Sequence, residues 1–178
     1  MPTEFSLKSN VVDLAARTIK PAEVRVADGK IASIESLPEG EAVEGYLTPG
    51  FVDAHVHVES SMLVPTEFAR AAVTHGTVGS VSDPHEIGNV LGVAGVEYML
   101  ENASHSPFKF CFGAPSCVPA TTFETAGAEI TVEDVERLLD DDRIGYLSEM
   151  MNFPGVLGGD PGCLAKIEAA KQRGKPID

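Results

Sequence analysis

The chain is 178 residues long, with 13 basic and 27 acidic side chains and a net charge of −14. Its apolar content of 43 % is enough for a substantial core in one medium domain or in a small and a medium one, while the negative balance excludes nucleic acid or an anionic membrane as the main partner. No stretch approaches the roughly 20 uninterrupted apolar residues of a membrane span, and the first residues, with Glu4, Lys8 and Asp13, lack the plan of a signal peptide, so a cytoplasmic location is expected. The three cysteines, Cys111, Cys117 and Cys163, show no C-x-x-C spacing and are read as reduced structural residues.

In chain order, residues 1–46 read as a small β domain. Glu23-Val-Arg-Val-Ala27 and Lys30-Ile-Ala-Ser-Ile34 favour strands, and the Asp28-Gly29 between them signals a hairpin. Ser36 to Glu44, rich in Pro, Gly and Glu, reads as a connection.

From Leu47 onward strands and helices alternate. Leu47 to His55 is the first strand, Pro65 to His75 a helix with proline in its first turn and Gly76 at its end, and Thr77 to Ser82 the second strand. Gly92 to Ala103 follows as a helix with Val93, Val96, Met99 and Leu100 on one face, then Phe108 to Gly113 as the third strand. Thr131 starts a third helix, with Asp134 completing a capping box. Ile144 to Leu147 is the fourth strand, Cys163 to Lys171 a helix stopped by Gly174, and Lys175-Pro-Ile-Asp178 the beginning of a fifth strand. Four βα units in a row predict an α/β fold with a parallel sheet packed against helices.

The residues able to do chemistry fall where these strands end. His55 and His57, two apart on a strand, point to one face and can reach one metal ion, with Asp53 and Glu59 close by in sequence. Asp83 and His85-Glu86 follow the second strand, Ser116 the third and Glu149 the fourth. That edge is where a (β/α)8 barrel keeps its active site; it is also the ligand edge of an open doubly wound sheet. No G-x-G-x-x-G or P-loop lysine motif follows a strand, which favours the barrel.

Asp83-Pro-His-Glu86 offers three hard or borderline ligands in four residues, as metal ligands, a proton shuttle or contacts to a bound ring, with Pro84 stiffening the loop. Ser116 to Gly127 suits a pocket-lining loop, with Asn152 a further pocket residue. His75 at a helix end reads as structural, His105 as exposed, and Asp140-Asp-Asp142 as a solvated helix end.

Pro49-Gly-Phe-Val-Asp-Ala-His-Val-His57 resembles the amidohydrolase superfamily, and the Val58-Glu-Ser-Ser-Met62 after it resembles the adenine deaminase branch. Ser82-Asp-Pro-His-Glu86, Ser116-Cys-Val-Pro-Ala120 with Phe123-Glu-Thr-Ala-Gly127, and Leu147-Ser-Glu-Met-Met-Asn-Phe153 agree with that branch, in order, over Leu47 to Asp178. The resemblance implies the N-terminal part of a (β/α)8 TIM-type barrel (residues 47–178), preceded by the small β domain (residues 1–46). It implies hydrolysis of adenine to hypoxanthine and ammonia at a binuclear divalent metal centre, with manganese or iron as the metals and zinc as the alternative. His55, His57 and Glu149 would hold the metals, Glu149 bridging them where many relatives use a carboxylated lysine. Glu149, His85 and Glu86 are the expected catalytic residues, and Asp83, Ser116 and Asn152 the expected substrate contacts.

Length departs from the family. A whole barrel needs roughly 250 residues, whereas this sequence stops as the fifth strand begins, so the general base and remaining ligands are expected outside it. The expected partners are therefore a second copy or the missing barrel half, and weak metal binding and slow turnover are expected of the chain alone. The other readings are a cyclic amide hydrolase of the dihydroorotase or hydantoinase kind, which Glu149 speaks against, and a non-catalytic metal-binding fragment.

Overall fold

In a computed structural model the described residues are 4–121 and 123–178; Thr122, within the expected pocket-lining segment, lies outside them. They form two compact units, Met1–Pro49 and Gly50–Asp178.

The N-terminal unit is a mixed sheet of β1 (Glu4–Asp13), β2 (Thr18–Ala27), β3 (Lys30–Ser36) and β4 (Tyr46–Leu47), in the order β3-β2-β1-β4. β2 and β3 pair antiparallel across Asp28-Gly29, whose φ values of 51° and 72° give the two left-handed positions a twisted two-residue hairpin needs. β1 pairs with all of β2, and β4 joins β1 in parallel. Leu47, expected to open the first barrel strand, belongs instead to this sheet: Pro49-Gly50 intervenes, and the barrel strand starts at Phe51. Ala22 and Val24 are the buried apolar side chains of the unit.

The second unit comprises β5 (Phe51–Val56), a 3-10 turn (Val58–Ser61), α1 (Pro65–Val73), β6 (Thr77–Ser82), α2 (His85–Leu91), α3 (Val93–Ser104), β7 (Lys109–Ala114), α4 (Val132–Leu139), β8 (Ile144–Leu147), α5 (Phe153–Gly158) and α6 (Pro161–Gln172). The four strands pair in parallel in the order β5-β6-β7-β8, and Ile177 extends the run with a parallel bridge to Leu147. An open doubly wound sheet reverses strand order at a switch point. Strict chain order instead is the arrangement of a (β/α)8 barrel, of which these β/α units make a part.

Phe112, Ile144 and Leu147 join Val96, Leu100, Val135 and Leu139 in one core. Ile144 and Leu147, three apart, share a face because the β7–β8 register shifts between Phe112 and Gly113. In α4 the buried Val135, Leu138 and Leu139 follow i, i+3, i+4 spacing, each contributing about 1.5–3 kcal/mol. Thr131 caps this helix in a full capping box with Asp134.

Two helices depart from the expected pattern. Pro84 lies in the two-residue connection from β6, as expected of a loop residue, but as the N-cap of α2 it puts His85 and Glu86 in that helix's first turn rather than in a loop. α5 begins at Phe153-Pro154, with Asn152 as its cap. Both helices directly follow strand ends on the edge that carries the polar residues.

The acidic run is not simply solvated. Arg173 donates to both oxygens of Asp140 at 2.7 and 3.0 Å, and Arg143 pairs with Asp141 at 2.7 Å. The cysteines are free, Cys117 and Cys163 buried and Cys111 exposed. No helix among the described residues is long and apolar enough to cross a membrane.

Candidate metal centre

β5 delivers His55 as its penultimate residue and His57 just beyond its end, on one side of the sheet. Their Nε2 atoms lie 3.1 Å apart. Behind His57, Nδ1 is 2.9 Å from the backbone oxygen of Asp83; behind His55, Nδ1 is 3.2 Å from Asp178 Oδ2. A carbonyl oxygen only accepts, so His57 carries its proton on Nδ1, and an ionised Asp178 imposes the same tautomer on His55. Both Nε2 atoms are then lone-pair donors aimed at one point.

Glu149, just past β8, closes the arrangement. Its Oε1 is 3.4 Å from His57 Nε2 and 3.6 Å from His85 Nδ1, and its Oε2 is 3.9 Å from His55 Nε2. One donor atom from each of His57, Asp83, His85 and Glu149 lies within 4.8 Å of the others. The Nε2 lone pairs of His55 and His57 and the facing oxygens of Glu149 repel one another unless a cation sits among them. Imidazole and carboxylate donors suit a borderline or hard divalent ion.

Asp83 is 1 % exposed. Its Oδ1 accepts from the backbone N–H of His85 and its Oδ2 from His85 Nδ1 at 3.0 Å, so it fixes the first turn of α2 and the His85 ring together. Burial pulls the His85 imidazole down, but its hydrogen bond to Asp83 and the carboxylates of Asp83, Glu149 and Glu86 outweigh that, leaving its pKa above the ordinary value. Glu86 accepts from Ser60 Oγ.

Ser116 and Asn152 are engaged within the chain. The Ser116 hydroxyl donates to the backbone oxygen of Glu149, and Asn152 Oδ1 accepts from Gly155 N–H as the cap of α5. Both line a cleft of about 600 Å³ that His55, His57, His85 and Glu149 do not border. Lys166 closes its floor, donating to Ser116 O at 2.8 Å and Ile130 O at 2.9 Å, one near each end of the long β7–α4 connection. Burial pushes the Lys166 amine below the usual lysine range.

Two carboxylates stand out beside these. Glu59 accepts from Ile87 N–H at 3.1 Å, supplying from the 3-10 turn the cap that Pro84 cannot give α2. Burial chiefly pushes its carboxyl above the ordinary carboxylate range. Asp178 was readable as a strand residue but not as a site residue. The signal available was its place at the end of Lys175-Pro-Ile-Asp178, on the same edge as His55 and Glu149.

Residues 46–178 match the family described as "Amidohydrolase family". The chain is 62 % identical over 178 residues to the adenine deaminase of Salinibacter ruber, covering 100 % of this chain and 32 % of the relative. It is 61 % identical over 174 residues to that of Sulfurovum sp., covering 98 % and 32 %, and 51 % identical over 172 residues to that of Methanothermobacter thermautotrophicus, covering 97 % and 32 %. The chain spans about a third of the length of the curated relatives it matches.

Proposed function

The chain belongs to the amidohydrolase family, and we propose on that premise that its site serves the hydrolytic deamination of adenine to hypoxanthine and ammonia. The observation that carries this is the convergence of His55 Nε2 and His57 Nε2 at 3.1 Å beside Glu149, in a chain whose relatives are named adenine deaminases.

His55 and His57 would hold one divalent ion through Nε2, with Glu149 offering its two oxygens to a pair. Manganese or iron fits the mixed imidazole and carboxylate donor set, and zinc fits it too. Such ions supply Lewis acidity, which makes water nucleophilic at neutral pH and polarises the bond under attack.

The chain's own groups then orient and move protons. The Asp83 carbonyl and Asp178 hold the two rings so that their lone pairs need no reorganisation. His85 carries a proton on Nδ1, 3.0 Å from Asp83 Oδ2 and beside Glu149 Oε1, and would be the proton donor to a leaving amine. Glu86, one residue on in α2, is the second proton-handling group. Asp83, Ser116 and Asn152 enter as supports, since their polar atoms already hold His85, the Glu149 backbone and α5.

The test is ammonia release from adenine by the full chain after anaerobic manganese or iron loading, with dihydroorotate and hydantoin alongside. Adenine-specific release is expected. Ring opening of the cyclic amides with adenine untouched would overturn the proposal in favour of a cyclic amide hydrolase.

A further inference from the structure

The two histidines of the site are backed by different acceptors. Behind His57 is a neutral backbone carbonyl, that of Asp83 at 2.9 Å; behind His55 is a carboxylate, Asp178 Oδ2 at 3.2 Å. The Asp178 backbone is fixed on the β8 edge: its N–H donates to Leu147 O at 3.1 Å, and its carbonyl accepts from Met150 N–H at 3.0 Å. Those two bonds straddle Glu149, so one residue ties the His55 ring to the segment that carries the carboxylate facing it.

We infer that Asp178 is a positioning residue of the metal centre, holding His55 as its Nδ1–H tautomer and making its Nε2 the stronger donor of the histidine pair. A histidine whose far nitrogen donates to a carboxylate is fixed in rotation and gains basicity at the near one, which a neutral carbonyl supplies more weakly. The His55 side of the centre is thus the electron-richer side. Packing is not an adequate alternative role: both side chains of this pair are more than 40 % exposed, and an ion pair so placed contributes little to folding.

The inference rests on the metal reading above, and its test separates the two. In the full chain, Asp178→Ala and Asp178→Asn are compared with the unmodified protein for Mn(II) affinity by chelator competition, and for the ring-nitrogen tautomers of His55 and His57 by 15N NMR of the metal-free protein. Asp178→Ala is expected to weaken Mn(II) binding by about 10–100-fold and to deplete the Nδ1–H tautomer at His55 while leaving His57 unchanged. Asp178→Asn, whose amide oxygen still accepts from Nδ1–H, is expected to keep the tautomer and lose affinity to a smaller extent. Unchanged affinity in both variants, with an unchanged His55 tautomer in Asp178→Ala, would overturn the inference alone. Failure of the unmodified protein to hold Mn(II) would overturn the metal reading and this inference with it.

Discussion

His55 and His57 face each other through their Nε2 atoms at 3.1 Å, and each ring has an acceptor at its back. Neither Nε2 has a proton to offer the other while Nδ1 keeps it. A cation between them turns a repulsive pair into a chelating one.

Removing either ring therefore breaks the chelate. His57→Ala is expected to weaken Mn(II) binding by more than about 100-fold, beyond the range of an outer-shell change, as read by equilibrium dialysis with elemental analysis. Retention equal to that of the unmodified protein would show that the ion sits elsewhere.

Cation binding should also register as stability. A divalent ion at about 100 times its dissociation constant adds about 2.7 kcal/mol to the folded state, which for a chain of this size raises the melting temperature by about 5–10 °C. Glu149→Gln removes the charge that faces both histidines, at 3.4 Å from His57 and 3.9 Å from His55. Its metal-dependent shift should be largely lost in differential scanning calorimetry, and a full shift would remove Glu149 from the ligand set.

Lys166 gives a prediction with a pH sign. Its amine donates to two backbone oxygens, and burial lowers its pKa from 10.5. Lys166→Met should cost about 1–3 kcal/mol by leaving buried acceptors unpaired. Because the folded pKa is depressed, the unfolded chain binds more protons in the window below 10.5. The contribution of Lys166 itself is thus greatest above 10.5 and falls as pH drops through the folded value. Urea denaturation from about pH 8 upward should show the unmodified protein gaining stability relative to Lys166→Met; a flat difference would contradict the burial argument.

Two substitutions away from the centre should spare it. Thr131→Ala opens the capping box of α4 and should cost about 1 kcal/mol, with Mn(II) affinity unchanged. Among the described residues the exposed His105 pairs only with Glu101, at 3.6 Å, so His105→Ala should change neither stability nor metal binding measurably. A loss of metal affinity in either variant would place its residue in the site.

The site was legible in the sequence where local spacing alone decides geometry. His55 and His57 share a face because strand side chains alternate, and Thr77 to Ser82 and Ile144 to Leu147 end where the apolar runs end. The Asp28-Gly29 hairpin and the Thr131 cap are equally local. What escaped depends on contacts distant in sequence. In the first turn of α2 the His85 N–H is met locally by Asp83, but Pro84 has no side-chain acceptor and the Ile87 N–H is met by Glu59, 28 residues earlier. β4 is two residues long and exists only through its pairing with β1. Asp140 lies in an acidic run whose partner, Arg173, is 33 residues away. Ser116 and Asn152 line a cleft as expected, but nothing local revealed that the Ser116 hydroxyl meets the Glu149 carbonyl or that the Asn152 amide caps α5.

The most direct measurement is an anaerobic Mn(II) titration of the full chain beside His57→Ala and Glu149→Gln, followed by desalting and elemental analysis. More retained metal in the unmodified protein than in either variant, with marked loss in both, is the predicted result. Equal metal content in all three would contradict a centre built on His55, His57 and Glu149.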